Sequence, residues 1–326
     1  MFGWLRRKKP SKLDARLSER HWAQVLTFAQ QQRLERLVVE HWQSRYPDVA
    51  VVDGVITIEE MRYGLENLSQ RCNPIPEDEW ALVVKDHFEQ LAQSEEDAAE
   101  WDTSCETFAW AREHLRVRLY PPTMEGHEML VRREDLPGVV TALVADRPSS
   151  IVSVTTELVE KWQRTTDELF AIALQQTLES EPIEGEWVEF DGGIEGVEPF
   201  QVAVMSSDVL LSAGHALAIA SYEHLVGEHG TLFAVPNRHY VIAHAIEAGS
   251  LPRAVDKVMP LVAGLYSDGP GSITPNLFWR RPDGGVEAQP VELRAAGEGK
   301  AKVRFSPSAG FQELVARLLA DGDGAP

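Results

Sequence analysis

Short β-like runs separated by turn residues dominate the chain after residue 115, and they restrict the folds that it can adopt. Runs such as LRVRLY, GVVTALVAD and FQVAVMSS are rich in strand-forming residues and are bounded by Pro, Gly or Asp. Several neighbouring runs have connections too short for a crossover helix, which suits antiparallel but not parallel pairing. We therefore predict an α+β fold with a mostly antiparallel sheet and packed helices.

The first hundred residues have a different pattern of apolar residues, which predicts a largely helical region. Apolar residues recur at three- and four-residue steps over 11–46, with a break expected at Gln30–Gln32. A strand pair turning at Asp53-Gly54 and a further helix follow. The charged stretch 93–104 is predicted as a linker. The predicted organisation is a basic tail over 1–10, a mainly helical domain over 11–100, an α+β domain over 101–320 and an unstructured tail over 321–326.

Further helices are predicted after the linker from apolar periodicity and capping residues. A capping box formed by Thr165 and Glu168 opens the helix TDELFAIALQQTLES, and Ser250 is expected to cap a later one. The other predicted helical ranges are 103–114, 216–227, 252–266 and 308–320.

Cysteine usage and missing motifs exclude several classes of protein. Cys72 and Cys105 form no CxxC pair and have no metal-ligand spacing, which argues against a disulfide scaffold and a zinc site. No apolar run reaches the roughly 20 residues of a membrane helix, and no signal-peptide core follows the first basic residues. Phosphate-loop, dinucleotide and nucleophile-elbow motifs are missing. We expect a cytoplasmic protein with no cofactor, no metal and no catalytic residue.

The distribution of charge predicts the kind of partner. The formal net charge is −20, and no Lys or Arg occurs between Arg164 and Arg238, whereas thirteen acids lie from Asp167 to Glu228. Such a field repels nucleic acid and attracts basic proteins. An acidic surface that serves solubility alone is the other interpretation. The candidate residues for binding a basic partner are Glu184, Glu186, Glu189 and Asp191.

Residues 1–9 have the opposite character. MFGWLRRKK sets large apolar side chains beside four basic ones, the residue types of a membrane-surface anchor. So short a segment predicts at most weak contact with an anionic membrane, and a free basic tail is the alternative.

Half of the ten histidines fall between residues 215 and 244, around a predicted hairpin. With Asn237-Arg238 as a two-residue turn, Pro236 is expected opposite His239. His239 and His244 are five residues apart, so they lie on opposite faces of a strand and cannot share a metal ion. The candidate side chains for binding a small molecule at this turn are His215, Asn237, Arg238 and His239.

Three segments carry a resemblance to a known family. They are SIVSVTTELVEKWQRTTDELFAIALQQTLES, GHALAIASYEHLVGEHGTLFAVPNRHYVIAH and GSITPNLFWRRPDGGVEAQP. Over roughly residues 115–305 the chain resembles the bacterial YtpQ-like family, in which a Trp-containing helix and an Ala-Val-Pro turn recur. Trp162 and Ala234-Val235-Pro236 match, whereas Thr177-Leu178 replaces an Asn-Leu pair and His239 stands where a carboxylate is frequent. The resemblance implies a cytosolic α+β protein and no accepted reaction.

Two functions follow as predictions. The first is a non-catalytic interaction protein, adaptor-, chaperone- or immunity-like, whose acidic 165–237 region binds a basic protein. The alternative is an enzyme or small-molecule-binding protein with a pocket near the 236–239 turn. No sequence feature predicts an oligomeric state.

Overall fold

A computed structural model describes most of the chain as two compact units. The described residues are 23, 25–59, 61–104, 107–123, 130–147, 150–181, 183–190, 199–208, 210–247, 249–295 and 301–322. One unit comprises the described part of residues 1–95 with 294–302, and the other that of 96–293 with 303–326. The predicted α+β fold with mostly antiparallel sheets is confirmed. Of the described helices, none combines the length and apolarity needed to cross a membrane.

The elements up to residue 104 are three helices and a small sheet. They are α1 (Phe28–Gln43), β1 (Val51–Val52), β2 (Val55–Ile58), β3 (Met61–Gly64), α2 (Glu66–Cys72) and α3 (Trp80–Ser104). The predicted linker over 93–104 is helical, because α3 continues through it to Ser104, and the division between the two units falls within this stretch, after Glu95. Its Glu and Ala residues are good helix formers, so charge alone did not mark a break.

The helix α1 begins with a capping box formed by Thr27 and Gln30, which the apolar periodicity of the sequence did not predict. The Gln30 N–H donates to Oγ1 of Thr27 at 3.3 Å, and the Thr27 N–H donates to Oε1 of Gln30 at 3.0 Å. Gln31 is buried and its amide donates to Glu35 at 3.0 Å. The break predicted at Gln30–Gln32 is therefore wrong, because these polar side chains serve the first turn of the helix.

The predicted hairpin at Asp53-Gly54 is confirmed and carries part of the core. Both residues have left-handed φ angles, 48° and 74°, as a type I′ turn requires. Alternation along β2 then turns Ile56 and Ile58 inward. The large side chains buried in the same core include Leu34, Leu68, Trp80 and Phe88.

The elements after residue 104 include two larger antiparallel sheets. They are α4 (Phe108–His114), β4 (Leu115–Tyr120), β5 (Arg132–Leu136), β6 (Val139–Asp146), β7 (Ile151–Ser153), α5 (Thr156–Trp162), α6 (Thr166–Ser180), β8 (Glu184–Phe190), β9 (Phe200–Ser206), β10 (Thr231–Asn237), β11 (Tyr240–Ala245), α7 (Leu251–Asp268), β12 (Leu277–Arg280), β13 (Val286–Gln289), β14 (Val291–Ala295), β15 (Ala301–Phe305) and α8 (Ala309–Gly322). Six strands pair in the order β13-β12-β10-β11-β9-β8. A smaller sheet has the order β4-β6-β5, with β7 paired to β6, and β14 pairs with β15.

Both faces of the six-stranded sheet are apolar near its centre. Along β10, Leu232 and Ala234 join one core cluster, whereas Phe233 and Val235 join the other. The period-two alternation of strand side chains explains this division. The first cluster also contains Val258 of α7 and residues of α8, so these helices cover that face. The strand β8 lies at the end of the sheet, away from this doubly covered centre.

The predicted helix over 216–227 is wrong. Two 3-10 segments, Ser212–Ser221 and Glu223–Leu225, occupy this region. The helical conformation ends before Gly227, which packs so closely against Ile246, just beyond β11, that a Cβ there would lie 2.5 Å from the Ile246 carbonyl oxygen. The glycine bridge between Gly227 and Gly230 then starts β10.

Helix caps were predicted with mixed success. The Glu168 N–H donates to Oγ1 of Thr165 at 3.2 Å, so Thr165 caps α6 as expected, although the Glu168 carboxylate pairs with Arg164. Ser250 precedes α7, but its hydroxyl lies 2.9 Å from Nε2 of His244 and makes no side-chain cap. The backbone of Ser250 is helical, with φ of −81° and ψ of −27°, whereas a capping residue is normally extended.

Candidate functional site

The turn between β10 and β11 brings together three of the side chains predicted to bind a small molecule. Asn237 is buried, its amide N–H donates to the Leu265 carbonyl at 2.9 Å, and its side-chain oxygen accepts the His239 N–H at 2.9 Å. Arg238 Nε donates to Nε2 of His239 at 3.0 Å, and His239 Nδ1 donates to the Ser207 carbonyl at 3.0 Å. These side chains therefore make internal hydrogen bonds that fix the turn.

The register of this hairpin differs from the prediction. Asn237 pairs with Tyr240, so the turn residues are Arg238 and His239 rather than Asn237 and Arg238. The register shifts just before Asn237. Pro236 lies in this irregular part of the strand and has no N–H to donate, which is why a regular ladder does not run through it.

We expect Asn237→Ala to lower the free energy of unfolding by about 2–4 kcal/mol, because it leaves the Leu265 carbonyl and the His239 N–H without this partner inside the protein. Urea unfolding followed by circular dichroism measures the change. Gln175→Ala is the matched control, since the Gln175 amide is exposed and its partner among the described residues is its helix neighbour Glu179. We expect less than about 0.5 kcal/mol for the control; equal losses in both variants would show that the turn does not depend on Asn237.

His215 lies apart from these bonds, in a buried polar cluster. Its Nε2 donates to the Glu181 carbonyl at 2.7 Å, which leaves Nδ1 to accept the hydroxyl of Tyr222. Burial lowers the pKa of His215, which favours the neutral ring that this pattern requires. The structure thus gathers Asn237, Arg238 and His239 at one turn, and places the hydrogen bonds of His215 elsewhere.

An ion pair lies next to His215 in the interior. Arg116 Nε donates to Oε1 of Glu181 at 3.2 Å, and the two side chains are only 9% and 3% exposed. The guanidinium also donates to the carbonyls of Glu113 and Leu115 at 2.9 and 3.0 Å. The second carboxylate oxygen of Glu181 is buried and accepts no hydrogen bond in the described structure. The pair fixes Glu181, which lies three residues before the start of β8.

A second acid faces the same guanidinium. Burial raises the pKa of Glu181, and the nearby carboxylate of Asp146 raises it further, while Arg116 opposes the rise. Burial likewise raises the pKa of Asp146, against the charges of Arg116 and His114. The cluster therefore holds two acids around one arginine, and its role in the fold is to compensate buried charge.

The predicted acidic residues lie on β8, at the edge of the six-stranded sheet. Glu184, Glu186 and Glu189 are exposed, and none of them forms an ion pair with a described residue. Alternation places Glu184 and Glu186 on one face and Glu189 on the other. Gln201 of β9 donates to Glu189 at 3.4 Å. Asp191, the fourth acid predicted here, lies outside the described residues.

An exposed tryptophan accompanies these acids. The Trp187 side chain is 46% exposed, and its ring meets that of His224 edge-on with centroids 5.5 Å apart. Val226, two residues beyond His224, is also exposed. Aromatic side chains that remain in water are common anchors of protein interfaces, since they bury a large area at low entropic cost. The β8 edge, defined here as residues 184–190, thus combines negative charge with one aromatic anchor.

The described residues form no metal site, and a cavity among them does not involve the predicted site residues. No three His, Cys, Asp or Glu side chains there lie close enough together to hold a metal ion. A cavity of about 370 Å³ lies beside the small sheet of the first unit, and none of the predicted site residues lines it. Its lining residues are Asp48, Ala50, Val52, Asp53, Val55, Thr57 and Arg62.

The comparisons with known proteins give no guide to this geometry. No family model, curated protein or solved structure matches the chain. Membership of the YtpQ-like family therefore stays a prediction from the sequence segments quoted above. The function has to be argued from the side chains themselves.

Sequence reasoning missed two features of the site. Trp187 was not singled out, although in a strand it shares its face with Gly185 and Glu189, and a face with so few apolar residues indicates exposure. The pair Arg116–Glu181 had no such signal, because its residues are 65 positions apart and become neighbours only when β4 packs on α6.

Proposed function

We propose that this chain is a non-catalytic, cytoplasmic protein-interaction protein, of adaptor, chaperone or immunity type, whose β8 edge binds a basic protein. The observation that carries the proposal is the row of exposed glutamates on this edge, Glu184, Glu186 and Glu189, within a stretch that has no Lys or Arg between Arg164 and Arg238. Negative charge that forms no ion pair with a described residue attracts basic surfaces over several ångströms and repels nucleic acid.

The magnitude of the attraction fits reversible, salt-sensitive binding. An exposed ion pair contributes about 0.2–1 kcal/mol, so three such pairs together change an affinity by up to about a hundredfold. Screening shortens the reach of exposed charges to about 8 Å at physiological ionic strength. A partner held this way is released by salt, and its association rate falls with salt as well.

We expect the triple variant Glu184→Gln/Glu186→Gln/Glu189→Gln to bind the basic partner about tenfold or more weakly, because the charges are lost while the side-chain shapes stay. The partner is first recovered with the tagged full chain at low salt, identified by mass spectrometry and purified. Titration calorimetry then compares wild type and variant at several salt concentrations.

The matched control neutralises three exposed glutamates elsewhere in the second unit, Glu157, Glu160 and Glu313. It changes the net charge by the same amount but leaves the β8 edge intact, so we expect nearly wild-type binding. Binding that is independent of salt and equal for both triple variants would refute the proposal.

The alternative function, an enzyme or small-molecule binder at the 236–239 turn, gains no specific support from the geometry. Asn237 is buried, and the side chains of Arg238 and His239 make the internal hydrogen bonds described above. The alternative stays a prediction.

A further inference from the structure

The outer side of the β8 edge is not paired with any strand that the structure describes. The strand has seven residues, all of which pair with β9, and no described strand pairs with its other side. In an antiparallel ladder, alternate residues direct their N–H and C=O groups away from the partner strand. Most residues of the strand are exposed, including Gly185 and Trp187. The edge therefore offers a row of donors and acceptors to another chain.

The opposite end of the same sheet is protected. The residues of β13 are half-buried or buried, and the Glu287 carboxylate accepts from Arg281 at 3.0 Å and from Ser308 at 2.6 Å. Gln289 of the same strand receives the Ser308 N–H at 2.8 Å. Side chains and the start of α8 thus occupy the β13 end, whereas β8 has no equivalent among the described residues.

We propose that the basic partner binds as an extended segment that adds a strand to β8. This inference rests on the proposed function and names how the same surface recognises its partner. A segment that pairs with all seven residues spans about 23 Å. Backbone hydrogen bonds supply affinity, and the side chains of β8 supply selectivity through their alternation.

The side chains of β8 define the chemistry of that segment. One face presents Glu184 and Glu186, so the added strand carries Lys or Arg at alternate positions there. The other face presents Trp187 and, two residues later, Glu189. Trp187 accommodates an aliphatic side chain or the stem and cation of a basic one. The recognised class is a basic protein segment with alternating charged and apolar residues.

A second copy of this chain does not fit the same edge. Pairing β8 with a second copy would bring six glutamates, three from each copy, to one seam, and the repulsion between two edges of the same charge disfavours that pairing. The charge of the edge thus acts against self-association, which is a recognised protection of exposed strands, while it leaves the edge open to a basic segment.

The test uses the full chain and a defined probe, the acetylated and amidated heptapeptide Lys-Val-Lys-Val-Lys-Val-Lys. Its matched control has the same sequence and charge, with every peptide-bond N–H methylated so that it cannot donate to a strand. We expect the unmethylated peptide to bind about tenfold or more tightly, since methylation removes several of the backbone hydrogen bonds to β8. Bound unmethylated peptide should also slow the exchange of amide hydrogens over residues 184–190.

A protein-side variant adds an independent readout without disturbing the core. We expect Trp187→Ala to weaken the unmethylated peptide about fivefold or more, because the exposed ring covers the added strand. Leu319→Ala on α8, which is 52% exposed, is the control and should leave binding unchanged.

The outcomes separate this inference from the function on which it rests. Equal, salt-sensitive binding of both peptides overturns strand addition but leaves the acidic surface intact as a binding site. Failure of both peptides to bind, or unchanged exchange over 184–190, also overturns strand addition. The proposed function is judged separately, by the triple glutamine variant and the natural partner.

Discussion

Replacing Arg116 with methionine is expected to lower the free energy of unfolding by about 3–5 kcal/mol. Arg116 Nε lies 3.2 Å from Oε1 of Glu181, and both side chains are almost completely buried. Methionine retains an unbranched side chain of comparable length, so the main change is the loss of charge. The variant leaves a buried carboxylate without its counter-ion, which costs far more than breaking a surface pair. Urea unfolding followed by tryptophan fluorescence measures the difference.

A double-variant cycle isolates the pair. Arg116→Met/Glu181→Leu removes both charges, and we expect it to recover most of the stability that Arg116→Met loses. Lys161→Met is the matched control for deleting a cation, because Lys161 and Glu157 form an exposed pair at 3.4 Å, and it should cost less than about 1 kcal/mol. A loss in Arg116→Met no larger than in this control would contradict the assignment of the buried pair.

The pH dependence of the same variant has a definite sign. The folded-state pKa of Glu181 is raised, chiefly by burial and by Asp146, so the stability linked to its protonation is present below the unfolded pKa and is lost as pH rises through the folded pKa. Removing Arg116 takes away the group that opposes this rise. The loss in free energy of unfolding caused by Arg116→Met should therefore be larger at pH 8 than at pH 5, whereas the loss caused by Lys161→Met should be nearly the same at both.

Local signals predicted local structure in this chain. Asp53-Gly54 was a sufficient signal for a hairpin, since only a few residue pairs adopt left-handed φ at both positions. Thr165 was likewise a sufficient signal for the start of α6. Apolar periodicity runs continuously across Thr27, so it does not mark this residue as the start of a helix. The break predicted at Gln30–Gln32 lies inside the first turn of α1, which begins at Phe28.

The position of the site depends on pairings that no local pattern contains. β8 and β9 are neighbours in the sequence, but β9 continues the sheet by pairing with β11 rather than β10, which leaves β8 at the edge. The charges of Glu184, Glu186 and Glu189 can be recognised in the sequence. That their strand is the last one of the sheet, with no described strand on its outer side, cannot. Strand order follows from long-range burial of both faces of β10, so the edge becomes visible only in the complete sheet.

Gly230→Ala is expected to destabilise the second unit by about 4 kcal/mol or more, the second large effect that the fold predicts. Gly230 has φ of +92°, which L-residues rarely adopt, and a Cβ there would overlap the carbonyl oxygen of Arg280. This carbonyl belongs to the pairing of Thr231 with Arg280 that joins β10 to β12. Relief of the overlap would have to separate two central strands, which is more costly than local backbone strain. Thermal and urea unfolding provide the measurement.

Gly138→Ala separates strain from overlap. Gly138 also has a left-handed φ, +77°, but a Cβ there would have no neighbour within 4 Å, so we expect only about 1–2 kcal/mol from the backbone conformation. The additional loss in free energy of unfolding of Gly230→Ala, compared with Gly138→Ala, then measures the effect of the close approach of β10 and β12. If Gly230→Ala fails to accumulate as folded protein while Gly138→Ala unfolds cooperatively, the order of the two effects stands. Similar stabilities of the two variants would mean that β12 does not approach Gly230 as closely as the sheet requires.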